Sequence, residues 1–178
     1  MTTVDSVLIV ADIEGSSGCW SKKASAFKTP EWVDACADMT RDVAAVVRAL
    51  LDDGVRRVIV KDFHRTGYNI LPELIDPRAR VVQGYRKDPV PGIGDPGTAA
   101  AVLFTGMHAA SGSGGFLAHT LTSRIRRLEV NGELVPEVYL FAGSLAPWGV
   151  RPVFFSGCPV ACNQARDIIP AIGTYLID

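Results

Sequence analysis

The sequence has no surplus of one charge: 18 basic and 19 acidic side chains leave a formal net charge of −1 over 178 residues. A general nucleic-acid binder needs a basic excess to neutralise phosphates, so the balance argues against that class. Long hydrophobic runs are also missing. The longest aliphatic or aromatic stretch is about half a dozen residues, against roughly 20 for a helix that spans a bilayer. The start of the chain has no basic segment ahead of an apolar one and carries Asp5 early, so no secretory signal is expected and a cytoplasmic location follows. There are only four cysteines, Cys19, Cys36, Cys158 and Cys162, which in that compartment are expected to be reduced. Their spacing contains no C-x2-C pair, which argues against a structural zinc site built on thiolates. Histidine is scarcest. Only His64, His108 and His119 are available for imidazole chemistry.

Apolar residues make up 48% of the chain, enough for one substantial core and a single domain. Four short β-branched runs stop abruptly at polar groups: Ser6 to Ala11 at Asp12, Val58 to Val60 at Lys61-Asp62-Phe63-His64, Ala101 to Thr105 at Gly106-Met107-His108, and Pro152 to Phe155 at Ser156-Gly157-Cys158. Continuous rather than alternating apolar runs suit strands covered on both faces, as in a parallel sheet. Helical patterns lie between them. Thr29-Pro30-Glu31 reads as an N-cap, a first-turn proline and an acidic first turn, followed by apolar residues at helical spacing as far as Asp53-Gly54. A second helix is expected near Pro136 and a third from about Val160 to Ile169. Asn131-Gly132, between Arg127-Leu128-Glu129-Val130 and Glu133-Leu134-Val135, predicts a hairpin with a type I′ turn. The sum is an α/β fold: a three-layer domain with a mainly parallel sheet flanked by helices and an inserted β-hairpin.

Ligands of open α/β sheets bind beyond the carboxyl ends of the strands. The expected strands deliver Asp12 and Glu14, then Asp62 and His64, then His108 to that edge. Residues two apart in an extended segment point the same way, so Asp12 and Glu14 can address one point. Carboxylates and imidazoles converging there fit a divalent metal, zinc above all. Each residue also has an ordinary role open to it: an Asp ending a strand serves as a cap or turn residue, and a histidine there packs as a structural side chain. His119 follows a small-residue loop, residues 110–118, that can fold back over the edge and present an acid, base or hydrogen-bond donor; a solvent-exposed loop histidine is the alternative. Gly92 to Gly97 matches G-x-G-x-x-G, yet it follows no clear strand and contains Pro96, so it is excluded as a dinucleotide site.

Taken in order, Asp12-Ile13-Glu14-Gly15-Ser16-Ser17-Gly18, Lys61-Asp62-Phe63-His64, Gly106-Met107-His108-Ala109, Ala118-His119-Thr120, and Val130-Asn131-Gly132 followed by Val135-Pro136-Glu137 resemble the motifs of the D-aminopeptidase family of zinc metallopeptidases. The resemblance implies two zinc ions per chain, with Asp12 bridging them, Glu14, His64, His108 and Glu137 completing the coordination, and His119 as the catalytic residue. Glu137 enters through the resemblance alone; by itself it reads as an acidic first-turn residue of its helix. Asp62 is expected to orient a ligand from behind. Family members continue well past Asp178 and tend to carry acidic residues where this chain has Ser156-Gly157-Cys158-Pro159. The expectation is one metallohydrolase domain over residues 1–178 that lacks a longer C-terminal extension. A homo-oligomer is the assembly that the family's ring-like arrangement implies.

The function expected is zinc-dependent hydrolysis of an amide or short peptide, with no membrane or nucleic-acid partner. The alternatives are an amidohydrolase of a non-peptide metabolite and a metal- or ligand-binding relative without catalysis. Phosphoester hydrolysis ranks last, because no arginine cluster or phosphate loop stands beside the candidate ligands. Trp20, Trp32 and Trp148 are read either as core or as interface anchors.

Overall fold

The computed structural model describes residues 4–177. Along the chain run β1 (Ser6–Ala11), α1 (Pro30–Asp52), β2 (Arg57–Asp62), β3 (Arg80–Val82), β4 (Ala101–Met107), the hairpin strands β5 (Glu129–Val130) and β6 (Glu133–Leu134), α2 (Glu137–Leu145), β7 (Arg151–Gly157), α3 (Pro159–Ile168) and β8 (Gly173–Leu176). Six strands form one sheet in the order β3-β2-β1-β4-β7-β8, and every neighbouring pair in it is parallel. The hairpin is a separate antiparallel pair.

Period-two side-chain direction divides the core between the two faces of this sheet. On β1, Val7, Ile9 and Ala11 join Ala35, Cys36, Met39, Val43 and Val47 of α1. Leu8 and Val10 face the other way, into the cluster holding Val138, Phe141 and Leu145 of α2 and Ala161, Cys162 and Ala165 of α3. The result is the three-layer arrangement expected from the strand and helix patterns. The Thr29 side chain accepts a hydrogen bond from Trp32 N at 3.1 Å, so the expected cap of α1 is formed. At the hairpin, Asn131 and Gly132 both have positive φ, +54° and +86°, as a type I′ turn demands. No helix among the described residues is long and apolar enough to cross a membrane. Trp20 and Trp148 lie on the surface, whereas Trp32 is half-buried and donates its indole N–H to Asn69 Oδ1 at 3.0 Å.

The strand order places the functional edge. The chain steps outward from β1 to β2 and β3, then returns to β4 on the other side of β1 and continues through β7 to β8. Oppositely directed crossovers leave a crevice beyond the carboxyl ends of β1 and β4. Two glycines let the segments leaving these strands cross there. A Cβ on Gly15 would lie 1.9 Å from Met107 O, and one on Gly106, whose φ is +67°, would lie 2.3 Å from Asp12 O. The backbones are tied by Asp12 N donating to Thr105 O at 2.9 Å and Gly15 N donating to Gly106 O at 2.8 Å. Gly106→Ala is therefore expected to lower stability by more than about 2 kcal/mol in urea denaturation, because backbone strain and a backbone clash add. Gly54→Ala is the control: φ is +90° but nothing lies within 4 Å of the added Cβ, so strain acts alone.

Candidate metal centre at the carboxyl edge of the sheet

Each functional side chain reaches the crevice from its own element. Asp12 and Glu14 leave the end of β1, though not as an extended pair. Residues 12–16 form a turn in which Ser16 N donates to Ile13 O at 3.1 Å, and Asp12 Oδ1 accepts from Ile13 N at 2.9 Å. The turn, rather than strand periodicity, brings the two carboxylates together. His64 follows β2, His108 follows β4, and Glu137 opens α2 just after the hairpin. The small-residue loop does fold back: the His119 ring stacks on His108, with centroids 3.8 Å apart and planes 11° from parallel. Asp12, Glu14, His64, His108 and Glu137 are buried and His119 is half-buried.

The imidazoles share one device. His108 Nδ1 lies 3.1 Å from Ala109 O, His119 Nδ1 lies 2.8 Å from Leu117 O, and His64 Nε2 lies 3.0 Å from Ser25 O. A carbonyl oxygen only accepts, so each of these nitrogens carries the proton and donates. The opposite nitrogen of each ring then faces a carboxylate. His64 Nδ1 is 3.1 Å from Asp12 Oδ1 and 2.8 Å from Glu14 Oε2, His108 Nε2 is 3.4 Å from Asp12 Oδ2 and 3.5 Å from Glu137 Oε1, and His119 Nε2 is 4.0 Å from Glu14 Oε1. Such anchoring behind the ring fixes its orientation in metal sites generally.

Two sets of donor atoms converge within 4.8 Å: Asp12, Glu14 and His108, and His108, His119 and Glu137. His108 belongs to both, and His64 stands against Asp12 and Glu14. The two oxygens of Asp12 face different imidazoles, Oδ1 toward His64 and Oδ2 toward His108.

The electrostatics are those of an acidic pocket short of cations. Burial alone would raise the Asp12 pKa, but the His64 hydrogen bond and the charges of His108 and His64 outweigh it and hold the carboxyl below its ordinary range. Burial and the Asp12 charge push Glu14 upward, with His64 offsetting only part. Burial disfavours protonated His64 and His108, yet the surrounding carboxylates carry both up to about 10: Glu14 and Asp12 act on His64, Glu137 and Asp12 on His108. Protons on two imidazoles thus supply the positive charge. No lysine or arginine pairs with these three carboxylates among the described residues. Glu14 Oε2 is buried and receives no hydrogen bond despite its closeness to His64 Nδ1. Three carboxylates, three oriented imidazoles and an unsatisfied buried oxygen fit a divalent cation of borderline softness such as zinc.

Asp62 does not take the expected place behind a ligand. Its carboxylate accepts from Asn69 N at 2.5 Å, Asn69 Nδ2 at 2.8 Å and Ile70 N at 2.7 Å, and Asn69 Nδ2 also donates to His64 O at 2.7 Å. It staples the loop that carries His64 and leaves the ring to Ser25. That carbonyl, like those of Ala109 and Leu117, has no signature in a sequence, since every residue has one.

All four cysteines are free and buried. Cys158 occupies the N-cap position of α3 without a side-chain capping bond and lines a cavity of about 300 Å³ with Glu14, Cys19, Trp20, Phe116 and Pro159. A second cavity of about 720 Å³ is lined by Glu14, His119, Lys22, Arg65 and Ser113 among others. Both open against Glu14. Burial first, and the Asp62 carboxylate second, push the Cys36 thiol up to about 12. Stability tied to that proton is complete below the ordinary thiol value of 9.0 and is lost as pH rises toward about 12. Iodoacetamide at pH 8 is expected to leave Cys36 unmodified in the native chain and to alkylate it after denaturation, as read by mass spectrometry.

The D-aminopeptidase family pattern matches residues 6–177, nearly the whole chain. The chain belongs to this family. A D-aminopeptidase of Bacillus subtilis (strain 168) is 27% identical over 141 residues, covering 78% of this chain and 51% of that protein. Among solved structures, the Zn-dependent D-aminopeptidase DppA from Bacillus subtilis, described as a self-compartmentalizing protease, shares the fold with a TM-score of 0.88. At 22% identity, that match covers 96% of this chain and 63% of the other. The chain thus spans about half the length of the curated relative it matches. Membership brings together motifs that are weak singly: those around Asp12, His64, His108, His119 and Glu137 all reach one crevice.

Proposed function

We propose that the chain is a zinc-dependent hydrolase of amide or peptide bonds in small substrates, with Asp12, Glu14, His64, His108 and Glu137 holding two zinc ions and His119 assisting catalysis. The observation that carries this reading is the set of three imidazoles, each tied to a backbone carbonyl on one side and aimed at a buried carboxylate on the other. Family membership and the Zn-dependent relative support the choice of metal and reaction.

Zinc, when bound by these residues, would supply Lewis-acid polarisation of the scissile carbonyl and a more acidic water. The protein supplies geometry. Asp12 turns Oδ1 toward His64 and Oδ2 toward His108, so it would help to hold the metal, and its charge with those of Glu14 and Glu137 would offset that of bound cations. Glu137 is held by Leu121 N, which donates to Oε1 at 2.8 Å. His119 is the most open member of the cluster and lines the larger cavity. With Nδ1 donating to Leu117 O, its Nε2 is the nitrogen left to face the substrate; once it has taken up a proton, it can hand that proton to the leaving amine or donate to the carbonyl oxygen as charge develops there. Two cavities meeting at Glu14 offer room on either side of a small substrate.

The deciding experiment is a panel of D- and L-amino-acid amides, dipeptides and phosphoesters, assayed with zinc and after chelation. Amide or dipeptide turnover that needs zinc supports the reading; protein that carries no zinc and stays inactive when zinc is supplied overturns it. His119→Ala is expected to lower kcat by about 10²–10⁴-fold, with zinc content by elemental analysis unchanged. A loss of zinc in that variant would move His119 into the ligand set.

A further inference from the structure

A third cavity, of about 310 Å³, lies away from the cluster and shares no lining residue with the two that open against Glu14. Side-chain alternation on β2 places it. Val58 and Val60 pack toward α1, so Ile59 and Lys61 leave the opposite face of the sheet, where Leu8 and Ile93 also line the space. The segment from Gly92 to Gly97, excluded as a dinucleotide loop, supplies one wall.

Lys61 is the unusual member. It is 1% exposed, and no carboxylate forms an ion pair with it among the described residues. Its ammonium donates to Asp62 O at 2.7 Å and to Gly84 O at 2.6 Å, which leaves one of its three N–H groups without a protein acceptor. A buried charge held by neutral dipoles alone is costly. Burial pushes Lys61 down to about 8; the Asp62 charge opposes this, and the Arg86 charge adds to it. Arg80 and Arg86 stand at the exposed mouth and form no ion pair among the described residues either, so three cations face one space. The acids of the same lining are Asp88 and Asp95, and Asp95 Oδ1 already accepts from Gly97 N at 2.8 Å. The loop also fixes Arg86. Gly92 N donates to Arg86 O at 2.8 Å, and Gly94, at φ +94°, passes so close that a Cβ there would lie 2.9 Å from Arg86 Cβ.

We propose that this cavity is a second ligand site, separate from the metal centre, for a small monocarboxylate with an apolar body. Lys61 offers its remaining N–H from the floor, and the Arg80 and Arg86 guanidiniums meet the carboxylate at the mouth. Leu8, Ile59 and Ile93 receive the apolar part. Three cations against two acids leave one positive charge, which a carboxylate neutralises and a phosphate monoester exceeds. The volume lies at the lower end of the range for small-molecule sites, which limits the ligand to about the size of an aromatic acid. None of the residues assigned to metal lines this cavity, so the inference stands apart from the hydrolase reading.

Calorimetry on the zinc-loaded full chain compares benzoate, its neutral counterpart benzamide, and phenyl phosphate. Benzoate is expected to bind about 10–100-fold more tightly than benzamide, and more tightly than phenyl phosphate. Arg86→Gln, which keeps the stem against Gly94, should lower benzoate affinity about 10-fold and leave benzamide unchanged. Lys61→Met should do the same, but it also strips two carbonyls of their donor. If that variant fails to fold, the exposed Arg80→Gln/Arg86→Gln pair carries the test. Lys87→Gln, exposed in the same loop but outside the lining, should bind benzoate as the wild type does. The zinc-free chain should keep the preference, which separates this site from coordination at the cluster. Equal binding of benzoate and benzamide overturns the inference, as does a preference that survives the double variant or vanishes with zinc. An equal loss in Lys87→Gln marks general charge attraction and overturns it too. Tighter binding of phenyl phosphate overturns the assignment to a carboxylate.

Discussion

Asp12→Asn is expected to lower kcat/KM on a dipeptide by at least about 10³-fold and to leave the purified chain with less than one zinc. The reason is the double approach of this carboxylate, 3.1 Å to His64 through Oδ1 and 3.4 Å to His108 through Oδ2. Asparagine keeps the shape and one acceptor oxygen but replaces the other with an NH₂ group, which has no lone pair to offer a cation. Folding should survive, because Ile13 N can still donate to the remaining oxygen, as it now does at 2.9 Å. The substitution also removes one of three carboxylates crowded into a buried space. Because His64 and His108 hold that carboxyl below its ordinary range, its charge stabilises the metal-free fold, and the metal-free variant should be less stable than the metal-free wild type. Elemental analysis, steady-state kinetics and thermal melts with chelator give the three readings. Wild-type zinc content in Asp12→Asn would show that Asp12 is not needed to hold the metal.

The second large effect is on stability. For each site, zinc in excess of its dissociation constant by about 100-fold should raise Tm by roughly 5–10 °C over the chelated protein. That combines about 2.7 kcal/mol of binding linkage with a few degrees per kcal/mol for a chain of this size. The shift should come with proton release, because His64 and His108, both carried up to about 10 by their carboxylate neighbours, must give up the protons that face those carboxylates. Calorimetry in two buffers of different ionisation enthalpy measures the release. A melting curve indifferent to zinc would remove the metal centre from consideration.

Much of the architecture was legible from local rules. Thr29-Pro30-Glu31 specified the start of α1 because capping is a matter of adjacent residues. The apolar runs ending at Asp12, His64 and His108 marked three strands whose side chains are mostly buried on both faces of the sheet. β3 and β8 went unrecognised for the opposite reason. They are the edges of the sheet, Arg80–Val82 is only three residues long, and Tyr175 and Leu176 remain largely exposed, so neither leaves a buried pattern. The candidate site divides in the same way. Residues at strand ends could be read from topology. Glu137 could not, because its approach to His108 depends on where the hairpin delivers α2 and on Leu121 N, far apart in the chain and joined only by folding. Asp62 shared the strand-end position yet turned to its own loop, since strand geometry sets an address and not a partner.

The six clustered side chains come from segments scattered between Asp12 and Glu137, and the His64 contact to Asp12 alone spans 52 residues. Bringing such distant positions together carries a loop-closure cost that only the assembled sheet repays. The cluster is thus expected to form late in folding, unlike the metal site of a small finger whose ligands are close in sequence. An ion that binds it cannot guide the chain there. It acts afterwards as a lock, slowing escape from the native state while the rate of arrival stays the same.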